Sequence, residues 1–483
     1  MNTIGIDLGT SGVKAVVLGA IGELLAEASA PLEVSRPHPL WSEQAPADWL
    51  AATNRAMREL RARAGTAWAE VHALAVAGQM HGATLIDASG AVLRPAILWN
   101  DGRSQAQCAT LEAHEPATRR ITGNRAMAGF TAPKLMWVAE HEPDIFGRTT
   151  KVLLPKDWLV WQLSGVQSTD CSDASGTLWL DVARRAWSPE MLHASGLRID
   201  QMPALHEGPD TVGTLLPLWA ERWSLPNGVS IAAGAGDNAG GAIGVGVVAP
   251  GNGFLSLGTS GVIFVATDGP QANPDHGVHT FCHALPGVWH QMAVMLSASS
   301  ALNWWSGITG IPPADLMTGL GPRVTSRAER PLFLPYLSGE RTPHADPGAQ
   351  AGFIGVTHAT SRDDLTCAVL EGVAFAFADG LAALHAAGSA PERLLAIGGG
   401  ARSDVWLQLM ADTLGVAVDR PLGAEVGPAL GAARLAMMSR GVRGVVTPPA
   451  VARSFAPDSS NAAVLHARLQ RFRAAYAPLR QLA

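Results

Sequence analysis

The stretch LGTSGV occurs twice, at residues 8–13 within IGIDLGTSGVKAVV and at residues 257–262 within FLSLGTSGVIFVA. The copies are offset by 249 positions, Gly9 to Gly258, and both have apolar, strand-like flanks. A glycine-rich turn between two such runs predicts a strand–turn–strand unit. Its recurrence at the start of each half predicts two related domains. One difference separates the copies: Asp7 stands two residues before the first turn, and Ser256 before the second.

The segments downstream of the two copies predict an α/β fold. After the first, GELLAEASA reads as a third strand, an amphipathic helix begins near Pro46, and HALAVAG is another strand. After the second comes a long helix opened by Ser361 and Asp364 in capping-box spacing. RLLAIGGGARSDVWLQLMADTLG then reads as strand, triple glycine and a helix capped by Ser403 and stopped by Gly415. The segment VAPGNG (248–253) is the best boundary, so the expected division is 1–247, 254–440 and a C-terminal extension 441–483 packed on the second domain.

Bulk composition narrows the partners. A net charge of −6, four scattered lysines and no basic run argue against nucleic acid. No uncharged apolar run approaches the length of about 20 residues that a membrane span needs, and the N-terminus enters a strand pattern at once. A cytoplasmic protein is expected, with a homodimer left open. Cys108, Cys171, Cys282 and Cys367 fit no metal spacing, so buried free thiols are expected. HTFCH (279–283) resembles a metal site only faintly.

Small-residue turns expose successive backbone N–H groups, a concavity suited to phosphate oxygens. Two facing turns would grip a polyphosphate, with the Thr and Ser hydroxyls as added donors. Asp7 would then hold Mg²⁺, through water, since magnesium keeps several waters and takes few carboxylates. No GxxxxGK[ST] is present, which excludes the common phosphate-loop fold. In VSIAAGAGDNAGGAIGVG, Asp237-Asn238 lies between a strand and a glycine-rich helix. Asp237 is either a cap or a general base, and the glycines imply close approach of backbone or ligand. Asn100 and Asp101 in WNDGR are either a second polar layer of a substrate pocket or a polar turn.

GFTAPKLMWVAEH (129–141) and AGFIGVTHATSRDDLTCAVLEG (351–372) resemble the two signatures of the FGGY carbohydrate kinases, and AGQMHGAT, LPKDWL, FLPYLSGERTPH and IGGGAR follow in family order. The resemblance spans nearly the whole chain and weakens after about residue 440. It implies two actin-like (ribonuclease H-like) ATPase domains around a cleft, ATP and Mg²⁺, and a sugar acceptor. The matching segments point to the ketose D-xylulose. Another ketose or polyol such as ribulose, or a non-sugar actin-like ATPase, is the alternative. By resemblance Asp237 is the base, Asp7 serves Mg·ATP, and Met80, His81 and Asn238 bind sugar. Gly9, Thr10, Ser11, Lys14, Gly258, Thr259, Gly399, Gly400 and Ser403 fall along the nucleotide. Asp404 stands where some relatives carry Asn. The pair Trp304-Trp305 reads as core or as a nucleotide wall.

Overall fold

The computed structural model describes residues 1–321, 329–423 and 427–482. The apolar runs around the first turn form the antiparallel pair β1 (Asn2–Leu8) and β2 (Gly12–Leu18), followed by β3 (Leu24–Pro31). Exposure alternates along β3, because it is an edge strand with one face on the core and one in water. Parallel to β1 runs β4 (Val71–Gly78), and parallel to β4 runs β6 (Ser230–Gly236), with β5 (Thr211–Thr214) antiparallel at the far edge. The order is β5–β6–β4–β1–β2–β3. β6, an interior strand next to the β5 edge, is buried throughout its length, as a strand covered on both faces must be.

The second copy repeats this plan. β7 (Gly253–Leu257) and β8 (Gly261–Thr267) flank the second turn, then β9 (His279–Cys282) and β10 (Trp289–Met295) lie on one side. On the other side β11 (Arg393–Ile397) and β12 (Ala417–Pro421) run parallel to β7, and β13 (Val451–Phe455) closes the edge antiparallel. The order β9–β10–β8–β7–β11–β12–β13 matches the first sheet strand for strand, with β9 added.

Helices cover both sheets. α1 (Pro46–Ala64) starts with Pro46 in its first turn and buries Trp49, Ala52, Ala56, Met57 and Leu60 against β2 and β3. Three helices carry site residues: α2 (Thr131–His141), α3 (Pro155–Ser164) and α4 (Asp237–Gly244). In the second half α5 (Ser299–Thr309) follows β10, and α6 (Arg362–Ala386) opens with the expected Ser361–Asp364 capping box. α6 is long and apolar enough to cross a membrane, yet nearly all of that surface is buried in the second core. α7 (Asp404–Leu414) is capped by Ser403 and ended by left-handed Gly415, as the sequence predicts. α8 (Gly427–Ser439) and α9 (Ser459–Leu482) complete the chain, α9 packing on α7.

α8 crosses over. It follows the second sheet's β12 in the chain but packs on β1, β4 and α4 of the first sheet. This contact explains the glycines of α4: backbone, not ligand, approaches them. A Cβ on Gly431 of α8 would come within 1.8 Å of the Gly240 carbonyl oxygen, and one on Gly244 within 2.3 Å of Gly427 O. On β1, a Cβ on Gly5 would reach 1.9 Å from Ala429 O. Arg434 of α8 donates to the terminal carbonyls of α4, Ile243 O at 2.8 Å and Gly244 O at 3.1 Å. Gly431→Ala is therefore expected to cost about 1–3 kcal/mol or more by overpacking, read as a lowered thermal midpoint. Gly307→Ala, in a helix with open space around it, is expected to gain roughly 0.5–1 kcal/mol instead. Equal effects from the two would show that the crossing is not tightly packed.

Candidate active site

A cavity of about 300 Å³ lies where the two halves meet. The C-terminal ends of parallel strands are where α/β sheets gather ligands, and two such ends open here. β4 delivers Met80 and His81, and β6 delivers Asp237 and Asn238. The facing wall comes from the second half: Ser256 on β7, Ser260 in the second turn, His279 and Phe281 on β9, and Arg341 from a loop.

His81 is fixed in one role. Its backbone is left-handed (φ 70°), and its Nδ1 lies 2.8 Å from Gly176 O. A carbonyl only accepts, so Nδ1 carries the proton and Nε2 the lone pair. Burial, aided by the Lys134 charge, pushes the imidazole down to about 3. It is thus a neutral acceptor for a hydroxyl, and too weak a base to deprotonate one. Lys134 of α2 holds this strained turn by donating to His81 O and Gly129 O, both at 2.8 Å. Burial lowers that ammonium to about 7.

Asp237 is the first residue of α4, after Gly236 as N-cap. Its Oδ1 accepts from the backbone N–H of Asn238 at 2.7 Å and the Asn238 amide at 2.9 Å. Its Oδ2 takes no hydrogen bond from any described residue. Gly236, not Asp237, is the N-cap, and the carboxyl serves the helix only through the first-turn N–H of Asn238. Burial, above all, raises it to about 6. Asp7, at the end of β1, is raised to about 7 by burial and then by the charge of Asp237, against the opposing Lys14. Its Oδ1 is buried without a hydrogen-bond partner.

Behind Asp237 lies a buried ionic cluster. Lys156 of α3 places Nζ 2.7 Å from Asp157 Oδ1, 2.9 Å from Asp170 Oδ1 and 3.2 Å from Ala233 O. The other Asp170 oxygen accepts from Ser172, backbone and hydroxyl, and the Ser172 oxygen accepts from Gly236 N at 3.1 Å. Residues 233–236, a bulged strand end with Gly234 at φ 84°, are so held at both ends. Asp173 is also buried and is raised well above the carboxylate range by burial. The cluster was missed in the sequence, although a Lys-Asp pair inside an apolar segment signals it: buried charges must be paired.

The phosphate-side residues divide. In the first turn the Thr10 hydroxyl donates to Gln79 Oε1 and accepts from Trp99 Nε1, both at 2.9 Å. It is occupied rather than a free donor; Gly9 N–H is used within the turn by Gly12 O at 3.0 Å, and Ser11 is exposed. Lys14 pairs with Glu27 at 3.0 Å. In the second turn Gly258 O and Thr259 O accept from Ser299 N and Ala298 N at the start of α5. The triple glycine lies against this turn: a Cβ on Gly398 would be 2.8 Å from Leu257 C. Gly399 and Gly400 form the next short turn, and the Ser403 hydroxyl caps α7.

Neither Asn100 nor Asp101, expected at the substrate, lines the cavity. Asp101 is buried, and both its oxygens are used, Oδ1 by Arg103 and Oδ2 by Ser42 N and Arg103. Asn100 is exposed, and its neighbour Trp99 reaches the cavity instead. Asp404 is paired with Arg420 and Arg453. Trp305 is buried and bonded to Thr366, while Trp304 stacks on Phe333. All four cysteines are free and buried, and among the described residues no cluster of three or more metal-type side chains exists.

Two models, the FGGY family of carbohydrate kinases N-terminal and C-terminal domains, match residues 2–244 and 253–440. The sequence is 50% identical to a xylulose kinase of Escherichia coli (strain K12) over 99% of both chains, and 52% identical to one of Klebsiella pneumoniae over 90% of this chain and 89% of that one. Among solved structures, a xyloylose kinase from Brucella ovis superposes with a TM-score of 0.96 at 48% identity, covering all of both chains. A xylulose kinase from Rhodospirillum rubrum gives 0.92 at 30% identity, covering 100% of this chain and 99% of that one.

Proposed function

The chain belongs to the FGGY family of carbohydrate kinases, and from that premise we propose that it transfers the γ-phosphoryl group of ATP to D-xylulose, yielding D-xylulose 5-phosphate and ADP. The observation that carries this reading is the shared cavity, in which a raised carboxyl (Asp237) and a neutral imidazole (His81) from one half face a glycine turn from the other. In it, residues 1–247 hold sugar, residues 254–440 hold nucleotide, 441–483 brace the second half, and the reaction takes place in the cytoplasm.

Phosphoryl transfer asks little covalent work of a protein; positioning and charge neutralisation dominate. Oδ2 of Asp237, left open by Asn238, accepts the proton of the 5-hydroxyl as that oxygen attacks the γ-phosphorus. Nε2 of His81 accepts a hydrogen bond from another hydroxyl and orients the chain of the sugar. Gly9 N–H closes the first turn on Gly12 O at 3.0 Å, so the backbone N–H groups of Thr10 and Ser11, with those of Gly258–Thr259, Gly399 and Gly400, receive phosphate oxygens. Asp7 fits a magnesium ion: one carboxylate oxygen is buried and unpaired, and a neighbouring negative charge already disfavours its ionisation. When bound, the ion would supply positive charge to the phosphate oxygens.

A panel of free pentuloses, hexuloses and glycerol, assayed by ADP release, tests the assignment. D-Xylulose is expected to give the highest kcat/KM, and sugar-free ATP hydrolysis to be slow by comparison. A much higher efficiency with L-ribulose or glycerol would overturn the choice of acceptor; ADP release indifferent to every sugar would favour a non-sugar ATPase.

A further inference from the structure

Among the described residues, Arg341 is the one cavity-lining group that carries a fixed positive charge, and the mechanism above does not use it. It arrives from a loop of the second half that is pinned to β10. The next residue, Thr342, donates through its N–H to Val294 O (3.0 Å) and through its hydroxyl to Gly277 O (2.8 Å), and its oxygen accepts from Val294 N.

The orientation of the guanidinium follows from a chain of hydrogen bonds. Asn124 directs its Nδ2 at two carbonyls, Thr122 O and Thr280 O, so its Oδ1 is the acceptor for His279 Nδ1 at 3.2 Å. His279 Nδ1 therefore carries the proton, and Nε2 is left as a lone pair 3.4 Å from an Arg341 Nη1. That contact occupies one edge of the fork. The remaining N–H groups have no protein partner: among the described residues no carboxylate lies within 4.0 Å of the guanidinium. The adjacent Glu340 does not neutralise it. Glu340 Oε1 accepts from Leu296 N and Arg341 N, its Oε2 is buried and unpaired, and burial raises the carboxyl to about 8.

We propose that Arg341 is a substrate-binding residue, brought to the sugar by the second half of the chain, whose unused N–H groups donate to two adjacent oxygens of the ketose that Met80 and His81 hold from the first half. This rests on the sugar reading of the cavity. A guanidinium fork matches a pair of neighbouring oxygens, and the ketose end, a carbonyl beside a primary hydroxyl, presents such a pair. Position favours the sugar over the phosphates. The Arg341 charge depresses His81 and His279, with which it shares one end of the cavity, whereas at the phosphoryl end Asp7 owes its shift to burial, Asp237 and Lys14, and Asp237 owes its own to burial and Asn238. Both halves must then touch one sugar molecule, so sugar binding itself draws them together.

The test uses Arg341→Gln and Arg341→Lys in the full chain, with D-xylulose affinity followed by tryptophan fluorescence and KM for ATP by steady-state kinetics. Loss of a charge-assisted hydrogen bond predicts sugar binding weakened about 10- to 100-fold in Arg341→Gln and less in Arg341→Lys. KM for ATP should stay within about twofold. D-Xylulose lacking its 1-hydroxyl should bind wild type about tenfold more weakly than D-xylulose, a difference that shrinks to within roughly threefold in Arg341→Gln. A merely structural arginine would not erase that discrimination. Unchanged sugar affinity, or a rise confined to KM for ATP, overturns the proposal. If wild type prefers another ketose, the acceptor assignment fails separately, and the same comparison is read with that ketose.

Discussion

Asp237→Asn is expected to lower kcat by about 10²–10⁴-fold, the usual cost of losing a general base, while D-xylulose still binds within roughly tenfold of wild type. The amide keeps the size of the side chain and can still meet Asn238, but it has no lone-pair charge with which to take the hydroxyl proton. The pH profile carries the same information. A general base works only when ionised, and burial holds Asp237 at about 6 instead of 3.8. Wild-type kcat/KM, which reports the groups of the free enzyme, should therefore fall as pH drops through about 6, roughly tenfold per unit below it. The residual activity of Asp237→Asn should not show that limb. Asp7→Asn differs in kind: its defect should appear as a raised magnesium requirement, with sugar affinity in the absence of nucleotide nearly unchanged. Steady-state kinetics across a magnesium series and a pH series separate the two. Near-normal turnover in Asp237→Asn would remove it as the base, and His81 would not replace it readily, because an imidazole held at about 3 is a poor proton acceptor.

The repeated turn was the most informative feature of the chain because backbone geometry depends on local sequence. Glycines between two apolar runs leave few alternatives to a tight strand connection, so β1–β2 and β7–β8 were readable, and the shared strand order agrees with that repeated pattern. Caps were readable for the same reason: Ser361 with Asp364, and Ser403, act on residues three positions away.

Properties that depend on distant partners were not readable. The glycines of α4 could as well have faced a ligand; only the crossing of α8 shows that they face a helix far along the chain, as the Arg434–Ile243 bond across 191 positions does. Asp101 looked like a pocket residue because an Asp after a buried strand has the right chemistry, but Ser42, 59 positions earlier, claims its carboxylate. His279 appeared only inside a faintly metal-like run, and its tautomer is set by Asn124, 155 positions before it. Site chemistry is written in residue types; which of them reach the site is written in tertiary packing.

Lys156→Met is the second large effect, and it falls on stability. The ammonium is all but inaccessible to solvent (side-chain exposure 1%) and serves Asp157 and Asp170, themselves at 1% and 0%. A methionine fills much of the space but leaves two buried carboxylates without their cation, the situation that typically costs about 3–5 kcal/mol. Ala233 O loses its donor as well, so the strand end that leads into Asp237 loosens, and kcat should fall along with stability. An exposed pair gives the contrast. Arg198 and Asp200 have side chains 68% and 66% exposed, and Arg198→Met should change stability by no more than about 0.5 kcal/mol. The pH dependence has a definite sign. Burial already raises the Asp157 carboxyl above its ordinary value of 3.8 and the Lys156 charge pulls it back, so without Lys156 its folded-state pKa must rise further. A raised carboxyl is accommodated when neutral, and its stability contribution is lost as pH climbs through the interval between the two values. The defect of Lys156→Met should thus be smallest near pH 4 and largest at neutral pH, whereas loss of simple packing would be independent of pH. Denaturant unfolding of both variants at several pH values measures this, and a pH-independent deficit would reduce the cluster to a matter of shape.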